Sequence, residues 1–306
     1  MVLFEFVLTQ GSLLVGMSFY TLLERSILGS AQIRKGPNKV LVMGLVQPFM
    51  DAIKLFSKGM FMYTYTWWHL WMAAPVLSLG LYLVLFEFVL TQGSFALMND
   101  YPLLVFIMLM GVSVYFLIMG GWLSNSKFSM LGGMRAVSQA VSYELIMSFI
   151  FLLMGLVVMS YEFEEFMTPM NMYGYMFMYL LVSFLICSLA EMNRTPFDLM
   201  EGESELVSGF NVEFYSGFFA LIFMAEYISI MLFSLLVSVM WLSQVVKMTA
   251  VMSFMVIIGF SSLFSLMFLF IRASYPRVRY DKLMKFSWGE LLPYIMIMSL
   301  WILMVW

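Results

Sequence analysis

The stretch AEMNRTPFDLMEGESELVSGFNVEF, residues 190–214, separates two long apolar runs, and what those runs are decides the fold. It carries six carboxylates, Glu191, Asp198, Glu201, Glu203, Glu205 and Glu213, against one cation, Arg194. A loop that needed only solvation would be served better by mixed charge, so the single sign calls for a reason. The runs on either side belong to a chain of 306 residues that is 63% hydrophobic and 11% charged, with a mean hydropathy of +0.96. Soluble domains sit near about 25% charged. This is a membrane protein, and the unit to count is the span.

Apolar windows of about 18 residues or more read as spans. Eight are present: 2–23, 67–91, 101–123, 136–160, 170–190, 214–241, 248–271 and 288–306. The expected fold class is an all-α polytopic membrane protein, one membrane domain over residues 1–306, with the acidic loop 191–213 between the fifth and sixth spans. The first run lacks the basic n-region of a signal peptide, and LLERS follows it instead of a small-residue cleavage site. Eight spans put both termini on one side and the odd-numbered loops on the other. Those loops hold Arg25, Arg34, Lys35, Lys39, Lys54, Lys58, Lys127, Arg135, Arg194, Arg272, Arg277, Arg279, Lys282 and Lys285. Of 15 Lys and Arg only Lys247 falls opposite. The positive-inside rule makes that side a bacterial cytosol or a mitochondrial matrix, and the acidic loop faces it.

Several chemistries are excluded. There is one cysteine, Cys187, and one histidine, His69, so there is no disulfide framework and no ligand set for zinc or an iron–sulfur cluster. LGGMRAV has neither of the glycine-rich nucleotide patterns. No metal site is expected, and any electron carrier belongs to another chain. The net charge of −3 does not point to nucleic acid. His69 stands beside three tryptophans at the start of the second span and reads as an interfacial residue. The 34 methionines are either adaptable packing filler or the mark of a genetic code with an extra Met codon. VLFEFVLTQGS occurs at 2–12 and again at 84–94 with unrelated flanks. That is a small local duplication or an assembly error in the sequence, unlike the longer and weaker similarity of repeat folds, and no function attaches to Glu5 or Glu87.

Four elements remain that can carry chemistry. Glu144 and Glu226 lie inside spans, where a carboxylate costs on the order of 2.5–3.5 kcal/mol. Such groups face a bundle interior or a water-filled cavity, and there they either brace a neighbouring helix or take and release protons. In the loop, Pro196 interrupts any helix through NRTPFD. EGESE points three carboxylates one way if extended, whereas a helix would align only Glu201 with Glu205. Crowded carboxylates do not all ionise together, so the loop reads as a proton reservoir or relay, or else as a solvated acidic loop. The third element, LLERSILGSAQIRKGPNKV followed by QPFMDAIKLFSKG, predicts an amphipathic interfacial helix. Pro48 suits its start, with Asp51, Lys54 and Lys58 on one face and Phe49, Ile53 and Phe56 on another. It is a surface anchor or one wall of an entry for an amphiphilic ligand. The basic IRASYPRVRYDKLMK is a lipid-headgroup patch or a docking surface.

QIRKGPNKV, QPFMDAIKLF, LGGMRAVSQAVSYEL, the acidic loop itself, IFMAEY and RASYPRVRYDKLM, in this order, closely resemble the quinone-site membrane subunit (subunit 1) of respiratory complex I, NADH:ubiquinone oxidoreductase. The resemblance spans nearly the whole chain, and the Met bias then suggests a mitochondrially encoded animal member. It implies eight core spans and a quinone channel formed by the amphipathic helix with spans one, five and six. Ubiquinone is the implied substrate, entering from the lipid. NADH, FMN and iron–sulfur clusters would be used by partner subunits, the terminal cluster lying in the adjoining hydrophilic arm. Small membrane subunits would lead on to antiporter-like subunits. By the same resemblance Arg25, Gln32, Arg34, Asp51 and Phe56 would line or shape the channel. Glu144, Glu191, Glu201, Glu203, Glu205, Glu213 and Glu226 would belong to the acidic path toward the pumps, with Asp198 and Arg135 as coupled neighbours. Arg272, Arg277 and Arg279, with Arg194, would serve structure and docking. The implied location is the mitochondrial inner membrane, with the basic loops in the matrix. Ser26 and Gly59 depart from the family's usual basic and acidic residues. Two alternatives stand beside this one: the related subunit of a membrane-bound hydrogenase, and a free-standing proton or cation transporter.

Overall fold

The computed structural model describes residues 2–40, 44–59, 67–90, 101–163, 165–167, 174–200, 202, 209–242 and 250–305. Glu201, Glu203, Glu205 and Lys247 lie outside the described residues, and so does the conformation of EGESE. Among the described residues there are helices, turns and loops and no strands. The helices are α1 Val2–Ala31, α2 Gln47–Ser57, α3 Trp68–Leu90, α4 Pro102–Leu123, α5 Lys127–Val158, α6 Gly174–Glu191, α7 Ser216–Val237, α8 Ala250–Ser274, α9 Tyr280–Phe286 and α10 Leu292–Val305. A π-helical turn, Ser238–Leu242, prolongs α7, and another, Ser287–Leu291, joins α9 to α10. Among the described residues seven helices are long and apolar enough to cross a membrane, and α6 contributes a shorter apolar helix, Met178–Glu191.

The boundaries depart from the apolar runs where polar residues keep helical geometry. α1 continues through ERSILGSA and ends at Ala31, just before Ile33, whose φ of 57 does not continue a right-handed helix. α5 begins at Lys127, well before its apolar run, because the Ser126 side chain accepts a hydrogen bond from the Ser129 amide and caps it. Glu144 therefore lies near the middle of a 32-residue helix. α2 has Pro in its first turn and no fully buried residue, as expected of an amphipathic surface helix. Phe49, Met50, Ile53 and Phe56 are all exposed on it.

α3 packs against α4 and α7, α4 against α5, α5 against α6, and α7 against α8, with α1 across α7 and α8. Lipid is as apolar as a leucine core, so close fit rather than hydrophobicity holds such helices together. At the α4–α5 crossing, a Cβ on Gly121 would lie 3.0 Å from the Gly133 Cα. Phe106, Phe151 and Phe184 form edge-to-face contacts at 5.6 Å inside the bundle. The outward faces carry exposed apolar residues such as Leu8, Met108, Ile258 and Met304, while Glu24, Glu87, Gln139 and Glu191 are buried. That is the distribution lipid imposes. The repeated segments meet: Thr9 Oγ1 and Gln10 Nε2 of the first copy donate to Glu87 Oε2 of the second, at 2.9 and 3.2 Å.

Candidate functional site

Loops converge at one end of the bundle. The Val278 amide donates to the Pro196 carbonyl at 3.0 Å. Gln139 of α5 donates from Nε2 to the carbonyls of Ala190 and Phe197, at 2.8 and 2.9 Å. Arg277 pairs with Asp198 at 3.0 Å. The chain leaving α6 is thus tied to α5 and to the segment before α9, and two recesses lie beside it.

The first is a cleft of about 270 Å³ between α1, α2 and α7, open on one side. Its walls are mostly apolar, with Arg25 and Asp51 at the polar edge and Phe223 and Tyr227 from α7. Arg25 donates to Asp51 at 2.7 Å, and Gln47 holds the other carboxylate oxygen at 2.9 Å. An apolar groove with few oriented polar groups suits a flat, mainly hydrophobic ligand carrying polar oxygens. Phe19 and Phe49 pack edge to face between α1 and α2, at 5.9 Å. The structure thus brings Arg25 and Asp51 together. Gln32 and Arg34 lie exposed where α1 ends, Phe56 is exposed on α2, and none of these three lines the cleft.

Behind the cleft is a buried charge cluster that sequence reasoning misses. Glu24 of α1 is 4% exposed and pairs with Arg272 of α8 and, at 3.5 Å, with Arg194. The Arg194 guanidinium also sits 4.5 Å over the Tyr227 ring. The signal for it in the sequence is the carboxylate in LLERS, next to Arg25 and still inside the first helix. Arg272 and Arg277 are both engaged within the chain, Arg279 is exposed just before α9, and Arg135 is half-buried on α5.

The second recess is a smaller, partly open cavity of about 60 Å³. It is lined by Glu191 at the end of α6, Asn193 beyond it, Glu226 on α7, Tyr82 on α3 and Ser113 on α4. Glu191 is 5% exposed. Glu144, half-buried on α5, faces α4 at Gly111, where an added Cβ would meet its carboxyl at 2.6 Å. Glu144 is also close enough to couple electrostatically to Glu191. Glu213 closes the short helical turn Gly209–Glu213, which packs on α5. The structure therefore brings Glu144, Glu191 and Glu226 into one neighbourhood. On α7 the consecutive residues Glu226 and Tyr227 divide the recesses, Glu226 lining the cavity and Tyr227 the cleft.

This architecture defines a class: a polytopic helical membrane protein with a side cleft and, one helix wall away, a set of buried and half-buried carboxyls. The chain belongs to the NADH dehydrogenase family, whose profile matches residues 4–303. It is 44% identical over 286 residues to NADH-ubiquinone oxidoreductase chain 1 of Aedes aegypti, covering 92% of this chain and 88% of that one. The like-named chain of Mytilus edulis is 42% identical over 282 residues, 91% and 90% of the two chains. That of Apis mellifera ligustica is 40% identical over 296 residues, 93% and 91%.

Proposed function

We propose that this chain is the quinone-site membrane subunit of the proton-pumping NADH:ubiquinone oxidoreductase of an animal mitochondrial inner membrane, with its basic loops in the matrix. It is part of the enzyme, and its single cysteine cannot supply the ligand set of an iron–sulfur cluster, so the cluster that delivers electrons belongs to a partner. Ubiquinone enters the cleft between α1, α2 and α7 from the lipid. Electrons reach it from the terminal cluster of a hydrophilic partner subunit. Glu191, Glu226 and Glu144 begin the acidic path to the pumping subunits, joined by Glu213 and by Glu201, Glu203 and Glu205 of the loop.

The observation that carries this reading is the single-helix wall between the recesses. Quinone reduction places negative charge in a mostly apolar cleft, where charge–charge interactions are stronger than in bulk water. Glu226 is adjacent in sequence to Tyr227 of the cleft wall, and Arg194 lies over that same ring only three residues after Glu191. A charge appearing in the cleft therefore acts at short range on both carboxyls and on the Arg194–Glu24–Arg272 cluster. That is how part of the redox free energy leaves the quinone site as a change of protonation.

A native gel of mildly solubilised membranes tests the assignment. The chain should migrate in a very large band that oxidises NADH, and migration as a small particle without that activity would return it to the transporter class. Within the assembled enzyme, Glu191→Gln and Glu226→Gln should leave assembly intact and slow quinone-linked turnover about tenfold, the effect of a barrier raised by about 1.4 kcal/mol. Normal turnover and pumping in a fully assembled variant would sink the path. The cleft has its own test. The Arg25–Asp51 side chains are 55% and 36% exposed, and such exposed pairs contribute about 0–1 kcal/mol. Asp51→Ala should therefore leave assembly near normal while raising the KM for a short-chain quinone several-fold. An unchanged KM would place the headgroup route elsewhere.

A further inference from the structure

The inner cavity is lined by four hydroxyl side chains that stand outside the acidic path, Ser78, Tyr82, Ser113 and Ser229. Tyr82 lies on α3 two helical turns beyond Pro75 and one beyond Ser78, all three lining the cavity. Its side chain shares the cavity lining with Ser113 on α4 and with Glu191 and Glu226. A tyrosine at a helix contact is ordinarily apolar filling with its hydroxyl tied to one partner. Here Tyr82 lines a cavity that also holds two buried polar oxygens in need of partners. Glu191 Oε2 and Asn193 Oδ1 are buried with no hydrogen-bond partner among the described residues, an arrangement that is costly unless something bridges them. The cavity of about 60 Å³ exceeds the roughly 10–15 Å³ that one water requires, and its polar lining supplies the 2–4 partners a buried water needs.

We propose that Tyr82, oriented by Ser113, is a proton-relay residue that carries the hydrogen-bonded connection between Glu191 and Glu226. The proposal rests on the reading of those two carboxyls as proton stations. A phenol both accepts and donates, which a carboxylate alone cannot do. When a proton passes from protonated Glu191 to ionised Glu226, the Glu191 O–H bond breaks and a new O–H bond forms at the phenol oxygen, directly or through a cavity water. The phenol's original O–H bond breaks, and its proton forms the new bond on Glu226. One proton has moved, and Tyr82 is neutral before and after. Ser113 fixes the hydroxyl rotor, so that its lone pair and its proton face opposite carboxyls.

The test uses the assembled enzyme in its membrane and reads NADH:quinone turnover together with its solvent hydrogen-isotope effect. Tyr82→Phe keeps the ring and removes only the hydroxyl. It should assemble normally, lose about tenfold in turnover, the kinetic counterpart of one net hydrogen bond, and show a larger isotope effect. Ser113→Ala should lose less, and the double variant should be no worse than Tyr82→Phe alone. If Glu191→Gln is slow while Tyr82→Phe keeps wild-type turnover and isotope effect, the bridge is refuted and the stations stand. If Glu191→Gln and Glu226→Gln both run at the wild-type rate, the stations fail and the bridge with them. If Tyr82→Phe does not assemble, Ser113→Ala decides, and a wild-type rate and isotope effect there overturn the proposal.

Discussion

Glu24→Ala is expected to destabilise the protein by about 3–5 kcal/mol, the cost of removing one partner from a buried ion pair. Glu24 is 4% exposed and faces two guanidinium groups, Arg272 and Arg194. Alanine would remove the buried carboxylate that the two guanidinium groups share. Arg272 comes from α8 and Arg194 from the segment after α6, so the loss falls on the contact between α1 and two distant parts of the chain. The magnitude is decided by burial. Asp51 also pairs with an arginine, but on an exposed edge, and its removal should cost under about 1 kcal/mol. The measurement compares the two variants by the amount of assembled complex on native gels and by thermal inactivation after solubilisation. Glu24→Ala should fall far below Asp51→Ala. Equal levels would mean that water screens the cluster. Arg272→Lys separates charge from geometry: it keeps the cation but loses the planar fork, and should sit between the two.

Residue type makes one half of the candidate site legible in the sequence, and long-range packing hides the other half. A carboxylate inside an apolar run is conspicuous, so Glu144 and Glu226 stand out from the amino-acid order alone, as do the loop carboxylates. The Asp51 face of α2 is legible too, because α2 lies at a surface and has polar and apolar sides. Glu24 and Tyr82 are not. A spanning helix that is apolar all round gives little sign of which side meets lipid and which meets protein. Glu24 acquires its meaning from residues as distant in sequence as Arg272. Hydropathy misplaces the ends of α1 and α5 for a related reason. It locates the apolar slab, whereas the helix itself runs on into polar sequence until a turn or a cap ends it.

Gly132→Val is expected to displace the end of the acidic loop from α5 and to remove most of the assembled enzyme. A Cβ at position 132 would lie 2.9 Å from the carbonyl carbon and Cα of Gly209 and from the Phe210 amide nitrogen. All three are backbone atoms, so no side chain can rotate aside. Gly209 itself has φ +57, a conformation that side chains disfavour. The two glycines therefore let backbone lie on backbone where the loop rejoins the bundle. That contact seats Phe210 and Phe214, which line the cavity beside Glu191, and Phe214 stacks on Trp71 at 4.6 Å. Overpacking of this kind costs about 1–3 kcal/mol for small increments, so Gly132→Ala should already lower assembly and quinone-linked turnover. Valine adds branched bulk and should do more. The control is Gly259→Ala in α8, where an added Cβ meets nothing within 4 Å and the change favours the helix by about 1 kcal/mol. It should be neutral or better. If Gly132→Ala behaves like Gly259→Ala, the loop is free to ride over α5, and the cavity cannot depend on that contact for its shape. If it loses turnover in proportion to its loss of seating, the glycine pair is what holds the acidic loop against the helix that carries Glu144.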